Sequence, residues 1–193
     1  MNKVKEYFES NFCELFERYD SYNSVDIHTS WINVYDFKNK KILDIGSGSG
    51  RDSLYLAQVG GRVLAVDFID KMIESAKKKD FINSVEWLCD SLPALTKVKS
   101  NDFDFVLVSA VIMFLNQLEQ KQSIQRIYDL LRVGGILIIT SKKDIIDPIE
   151  TPLFEDFIIF SHKLGFHVIE QLGGEDLGGR PIIWRVLILK KVT

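Results

Sequence analysis

Between Lys41 and Arg51 the chain passes from an apolar run, Ile42-Leu43-Asp44-Ile45, into Gly46-Ser47-Gly48-Ser49-Gly50, and from Ser53 onward apolar residues recur at helical spacing. A run that is apolar on successive residues has no wet face, so it reads as a strand buried on both sides, as in a parallel sheet. Alternating glycines accept positive φ and carry no side chain, which permits a tight turn and lets a ligand lie directly against backbone. The stretch therefore predicts strand, turn and helix with a nucleotide-like ligand cradled at the turn. Arg51 and Asp52, just beyond the loop, are expected to position it or to pair with neighbours.

The same alternation continues downstream. Strands are expected at Arg62–Asp67, Val85–Cys89, Phe103–Ser109 and Ile136–Thr140, separated by helical patterns at Ser53–Val59, Ile69–Lys79 and about Leu118–Leu131. Alternating strands and helices imply right-handed crossovers and a parallel sheet with helices on both faces. The tail differs: after a helical pattern at Pro152–Leu164, strands at Phe166–Leu172 and Ile182–Leu189 flank a glycine-rich segment too short for a crossover helix. These two strands should pair antiparallel. The expected fold is α/β, a Rossmann-like open seven-stranded, mostly parallel sheet with an antiparallel C-terminal hairpin strand. The polar stretch Lys142–Thr151, with Pro148, is expected to be a mobile connection.

Residues 1–40 precede the first strand and form an expected helical cover. Val4–Tyr19 has apolar residues at helical spacing, and a second short helix should carry Ile27, Trp31, Ile32 and Tyr35. The cover protects one sheet edge and is placed to lid the ligand as well. With residues 41–193 as core, the 193 residues suit a single domain.

Composition narrows the classes of function. Lys and Arg number 24 against 27 Asp and Glu, a formal charge of −3, which gives no support to binding DNA or an anionic membrane. The first twenty residues are too charged for a signal peptide, and no apolar run approaches a membrane span, so the cytoplasm is the expected compartment. The 2 cysteines, Cys13 and Cys89, lack metal-ligand spacing and read as small buried hydrophobes, and the 3 histidines are scattered, so no metal site is expected.

Asp44, Asp67, Asp90 and Ser109 all fall at or near expected carboxyl ends of strands, where open parallel sheets bind ligands. An acidic rim repels a triphosphate, and the loop lacks the GK[ST] of a phosphate-binding loop. A dinucleotide fingerprint wants glycine at position 51, which is Arg. Asp67, about 20 residues past the loop, suits ribose hydroxyls in either kind of nucleotide site. The run Asp44-Ile-Gly-Ser-Gly-Ser-Gly50 resembles the first motif of the class I S-adenosylmethionine-dependent methyltransferases, and the resemblance covers Lys41–Thr140 well.

That resemblance implies a methyl donor, S-adenosylmethionine, with S-adenosylhomocysteine as product. It places Gly46, Ser47, Gly48 and Gly50 around the methionine portion, with Asp44 supporting the loop or the ligand amine. Asp67 would accept the ribose hydroxyls, with Phe68 and Met72 bordering sugar and adenine. Asp90 would meet the adenine amine, with backbone at Ser91 and Leu92 near the ring, and Ser109 and Ala110 would lie beside the sulfonium. A dedicated base is needed only where the acceptor must lose a proton. His28 is the one weak candidate for that role.

Several branches of the family fit poorly. Ser109-Ala-Val-Ile-Met stands where DNA amine methylases resemble one another in a Pro-Pro-aromatic run; no cysteine follows a proline, and Thr140-Ser-Lys-Lys143 replaces the metal ligands of catechol-type enzymes. A small-molecule acceptor is the expectation. Acceptor-side candidates are Tyr19, Tyr22, Trp31, Met113, Phe114, Arg180 and Trp184. A non-catalytic adenosylmethionine-binding protein and an RNA or protein methyltransferase are the alternatives.

Overall fold

Apolar strands dictate the architecture of this chain, a computed structural model that describes residues 2–144 and 148–193. The Lys142–Thr151 connection, expected to be mobile, lies partly outside the described residues. The strands are β1 (Lys41–Ile45), β2 (Arg62–Asp67), β3 (Val85–Cys89), β4 (Phe103–Ser109), β5 (Leu131–Lys142), β6 (Phe166–Glu175) and β7 (Ile183–Lys191). They form a seven-stranded sheet in the order β3-β2-β1-β4-β5-β7-β6. This is the Rossmann-like arrangement expected from the alternation. The chain divides into two compact units, 1–91 and 92–193.

In the first unit β1 pairs parallel with β2 and β2 with β3. Leu43, Ala65 and Val66 are wholly buried, as strands covered on both faces require. Helices α4 (Arg51–Gln58) and α5 (Asp70–Lys79) supply the crossovers. Ahead of them, the single helix expected over Val4–Tyr19 is two, α1 (Asn2–Ser10) and α2 (Phe12–Asp20). The two meet at Asn11, whose N–H keeps the helical bond to the Tyr7 carbonyl at 3.1 Å while its side-chain Nδ2 donates to the same carbonyl at 2.8 Å. Leu15 faces inward from α2, whereas Cys13, expected to be buried, is exposed. Cys89 is half-buried.

The expected second helix shrinks to α3 (Ser24–Ile27), after which the chain continues in turns. Trp31 still reaches the interior, its indole against the rings of His28 and Phe37. Burying a side chain of that size stabilises by roughly 2–3 kcal/mol, so packing retains the residue where helical propensity does not.

In the second unit β4 pairs parallel with β5, and β5-β7-β6 is antiparallel throughout. A 3₁₀ turn at Ile112–Phe114 follows β4, and α6 (Gln117–Leu130) follows it. Helix α7 (Phe157–Leu164) begins five residues later than the pattern suggested. The amide of Gln120 explains the delay: its Nε2 donates to the Pro152 carbonyl at 3.2 Å and its Oε1 accepts from the Phe154 N–H at 3.2 Å. Strand β6 runs past Leu172 to Glu175 because Asp176 staples the hairpin end, accepting from the Gly178 N–H, Arg180 and the Trp184 indole. Among the described residues no helix is long and apolar enough to cross a membrane.

Helix α6 opens on a capping box. Asn116 Oδ1 accepts from the Glu119 N–H and Glu119 Oε2 from the Asn116 N–H, each at 3.0 Å. Replacing Asn116 by Ala should cost about 1 kcal/mol and lower the melting temperature by about 2–4 °C, measured by calorimetry.

Candidate functional site

Strand β1 delivers its carboxyl end into the glycine loop, and the loop is fastened to β2. The N–H groups of Gly46 and Ser47 donate to the Val66 carbonyl at 2.7 and 3.0 Å. The Gly48 N–H donates to Asp67 Oδ2 at 2.9 Å, and the Ile69 N–H to Oδ1 at 2.9 Å. Burial drives the Asp67 carboxyl up to about 6, although the Ile69, Gly48 and Phe68 N–H groups pull the other way. The hydroxyls of Ser47 and Ser49 are buried with no hydrogen-bond partner among the described residues. Asp44, buried below the loop, accepts from the Ser53 hydroxyl at 2.5 Å and so ties β1 to the first turn of α4. Burial and the neighbouring Asp52 charge push its carboxyl upward.

The glycines have different reasons to be glycine. Gly50 adopts φ +78° at the mouth of α4, and a Cβ there would stand 2.6 Å from the Trp87 ring and 2.9 Å from Ala76 Cβ. It is required by packing. Gly48 has φ +53° and a bare face turned to the Tyr19 ring, 3.2 Å from where a Cβ would be. The N-terminal cover therefore closes over the loop itself.

A polar latch holds that cover. Arg51 grips Asp52 with Nε at 2.9 Å and Nη2 at 2.7 Å, and its Nη1 donates to the Tyr19 carbonyl at 3.1 Å. His28 Nε2 lies 3.0 Å from Asp52 Oδ2, and the Ser24 hydroxyl donates to the Arg51 carbonyl at 3.2 Å. Burial would raise the Asp52 carboxyl, but the charges and hydrogen bonds of His28 and Arg51 outweigh it and hold the group well below the usual range. Lys79 pairs with Asp20 and donates to the Ser49 carbonyl at 3.1 Å. His28 is 1% exposed and stacked on Trp31. Its Nε2 is engaged by Asp52 and its ring is closed off from solvent, a placement that suits holding the cover.

Other expected residues fall as follows. Phe68 packs edge-on against Phe8 of α1, with ring centroids 5.6 Å apart. Met72 is buried in the inner face of α5 and Trp31 in the core, so neither is presented to a ligand. The Asp90 N–H donates to the Asp67 carbonyl at 3.1 Å, and Asp90 Oδ1 accepts from the Ser91 N–H at 2.9 Å, which joins the ends of β2 and β3. Tyr22 lines a separate cleft of about 480 Å³ with Arg51, Tyr55 and Lys79.

In the second unit, Thr140 of β5 organises the end of β4. Its Oγ1 lies 3.2 Å from Ser109 Oγ and accepts from the Ala110 N–H at 2.9 Å. Ala110 takes φ +57°, a left-handed conformation that costs a residue with a Cβ about 1 kcal/mol or more. Leu92 and Met113 are buried and Phe114 is half-buried. Arg180 is committed to Asp176, with Nε at 2.9 Å and Nη2 at 2.5 Å, and Trp184 Nε1 donates to the same carboxylate at 3.0 Å. The anion-attracting role expected of Arg180 is thereby answered within the hairpin. Arg51 pairs with its neighbour as expected, whereas Thr140 and Lys79 escape a motif reading, since each acts through a contact 30 residues away in sequence.

Two substitutions separate packing from binding. Gly50→Ala should destabilise by more than about 2 kcal/mol through overpacking and strain, read in urea unfolding. Asp67→Asn replaces one of two accepting oxygens by an NH2 that cannot accept, so it loses either the Gly48 or the Ile69 bond. A group with a folded value near 6 and an unfolded value near 4 stabilises the fold below pH 4 and withdraws that stability as pH rises through 6. The Asn variant should therefore be less stable than wild type at pH 4, with the deficit shrinking as pH rises through 6, read in urea unfolding.

Residues 43–139 match the family described as "Methyltransferase domain". The chain is 32% identical over 106 residues to phosphoethanolamine N-methyltransferase 1 of Triticum aestivum, covering 53% of this chain and 21% of that protein. It is 33% identical over 166 residues to the arsenite methyltransferase of Mus musculus, covering 79% and 40%. It thus spans about a fifth of the length of the plant relatives it matches. Its fold superposes on magnesium protoporphyrin IX methyltransferase of Synechocystis PCC 6803 with bound SAH, with a TM-score of 0.80, 18% identity and coverage of 98% and 99%. With half of its residues matched, and with the glycine loop and the ends of β1 and β2 inside the matched stretch, this chain belongs to the methyltransferase domain family.

Proposed function

We propose that this chain is an S-adenosylmethionine-dependent methyltransferase that acts on a small-molecule acceptor. The observation that supports it most is Asp67. Its buried carboxylate, raised to about 6, ends β2 against the bare backbone of Gly48 and next to the unpartnered hydroxyl of Ser47. A buried carboxylate short of donors calls for hydroxyl groups, and a ribose supplies two. Residues of the first unit suit the donor: Asp67 for the ribose, the Gly46–Gly50 backbone and Ser47 for the methionine portion, and Asp90 and Ser91 for the adenine, with Phe68 bordering the sugar. Asp44 acts by holding the loop through Ser53.

S-adenosylmethionine, when bound, supplies a methyl group already activated on a sulfonium. The chain's own task is to orient the reactants and to exclude water. Tyr19 does part of this by covering Gly48, held there by Arg51. A single domain over residues 1–193 and a cytoplasmic setting belong to the same proposal. Matched relatives named for phosphoethanolamine and arsenite chemistry favour a small acceptor.

Calorimetry with S-adenosylhomocysteine and transfer of label from the methyl donor into a metabolite mixture test this reading. Binding with transfer is expected; binding without any transfer would leave a non-catalytic binder in its place. Because the ribose prefers ionised Asp67, affinity should hold at pH 7–8 and fall below about pH 6, by up to tenfold per unit. Asp67→Asn should bind poorly at every pH.

A further inference from the structure

At the amino ends of the strands of the first unit, opposite the glycine loop, one turn carries large apolar side chains into solvent. Phe81 and Ile82 are 90% and 84% exposed. They are the central residues of the turn 80–83, closed by the Asn83 N–H donating to the Asp80 carbonyl at 3.1 Å. Turn centres ordinarily carry Gly, Pro, Asn, Asp or Ser, so apolar residues at both positions are not there to make the turn. Nor is the turn loosely held. The Asp80 carboxylate accepts from the Ser84 N–H and hydroxyl, each at 2.8 Å, from the Val85 N–H at 3.0 Å and from the Trp87 indole at 3.1 Å. Asn83, at φ +52°, takes the left-handed conformation that Asn tolerates.

Cations frame this turn. Lys77 and Lys78, in the last turn of α5, are exposed, as are Lys38 and Arg62, and Lys40 is half-buried. The Arg62 N–H donates to the Lys40 carbonyl at 2.8 Å, and Val63 stands in register with Val85, so Arg62 and Lys40 border the residues that leave the turn. None of these cations joins an ion pair among the described residues, and Arg62 Nη2 donates to the neutral Asn39 carbonyl at 3.0 Å. Against them stand the exposed acids Asp36 and Glu86, while Asp80 is buried under its donors. The dipole of α5 accounts for lysines in its last turn. It does not account for Lys38, Lys40 and Arg62, nor for the apolar pair between them and α5. The formal charge of −3 averages over the whole chain and hides this local excess.

We propose that this end of the first unit docks on an anionic lipid surface, with the Phe81 and Ile82 side chains entering the boundary between headgroups and acyl chains and the cations meeting lipid phosphates and carboxylates. Reversible attachment of this kind takes two signals, an apolar insertion and a basic patch, since either alone binds weakly. Side chains that stand almost wholly in solvent suit a partner that yields around them, as a lipid surface does. The glycine loop lies at the carboxyl ends of β1 and β2, so docking by the amino ends leaves the donor loop facing away from the lipid. The inference goes beyond the methyltransferase reading and does not depend on it.

The test is flotation of the full chain with vesicles of phosphatidylcholine alone and of phosphatidylcholine mixed with phosphatidylserine. Wild type should float with the mixed vesicles, far less with phosphatidylcholine alone, and should be released as ionic strength rises. Phe81→Ser/Ile82→Ser should lower the partition coefficient by about tenfold or more, and Lys77→Gln/Lys78→Gln by about fivefold for each charge removed. Both variants change exposed side chains, so the melting temperature and the affinity for S-adenosylhomocysteine should match wild type, which keeps a loss of docking distinct from a loss of fold or of donor binding. Wild type that stays behind the mixed vesicles at low salt would overturn the proposal, as would Phe81→Ser/Ile82→Ser floating as well as wild type. A wild-type dimer in sedimentation that Phe81→Ser/Ile82→Ser abolishes, with no vesicle binding, would give the turn to a second copy of the chain instead.

Discussion

The first unit depends on one buried carboxylate. Asp67 ends β2, and the Gly48 N–H reaches it across from the end of β1, so the shape of the glycine loop is set by a neighbouring strand as well as by its own glycines. Burial makes this arrangement costly, and the backbone donors of Ile69, Gly48 and Phe68 only partly compensate. Such a cost persists where it serves a ligand. The loop therefore gains its definition from the group that would hold the sugar, and a change at Asp67 alters loop and ligand site together.

The cover extends the same logic toward the N-terminus. Arg51 is the first residue of α4, and its guanidinium reaches both Asp52 and the Tyr19 carbonyl. The planar fork of Arg permits this double engagement; a Lys would supply a point charge and lose the geometry. Through Arg51 the position of Tyr19 over Gly48 is linked to the start of the helix that the loop feeds. His28 and Ser24 add two further ties from α3 and its C-terminal end. What the residue types in the cover suggested as recognition, Trp31 and His28 above all, is largely the means of holding Tyr19 and α2 in place.

The sheet was legible because strands buried on both faces write themselves as nearly continuous apolar runs: β2 and β4 begin and end where the pattern places them. Departures arise where a side-chain contact overrides periodicity. Gln120 delays α7 from 34 residues away, while Asn11, four residues past Tyr7, and Asp176, eight before Trp184, act through local contacts that apolar spacing does not encode. The glycine loop and the acids at the ends of β1 to β3 were readable for a related reason, since motif and strand end coincide. Arg180 misled because a cation in a glycine-rich loop looks available until Asp176, four residues earlier, is seen to accept from it twice.

The buried acids show how the polar interior divides into scaffold and site. Asp80 accepts from the Ser84 N–H and hydroxyl, the Val85 N–H and the Trp87 indole, and its carboxyl is lowered despite burial. Asp52 and Asp176 are likewise surrounded by donors and likewise lowered. These groups are stabilised by what the chain already supplies, and they hold turns and helices in place. Asp67 and Asp44 have donors too few to offset their burial, and both carboxyls are raised. Burial alone does not distinguish the two kinds, and neither does residue type; the count of donors against the cost of desolvation does. By that measure Asp44 and Asp67 stand apart among the described residues: burial raises both, Asp44 with the Ser53 hydroxyl as its donor below the loop and Asp67 at the end of β2, where the ribose of the proposed donor would supply the further hydroxyls that its carboxylate lacks.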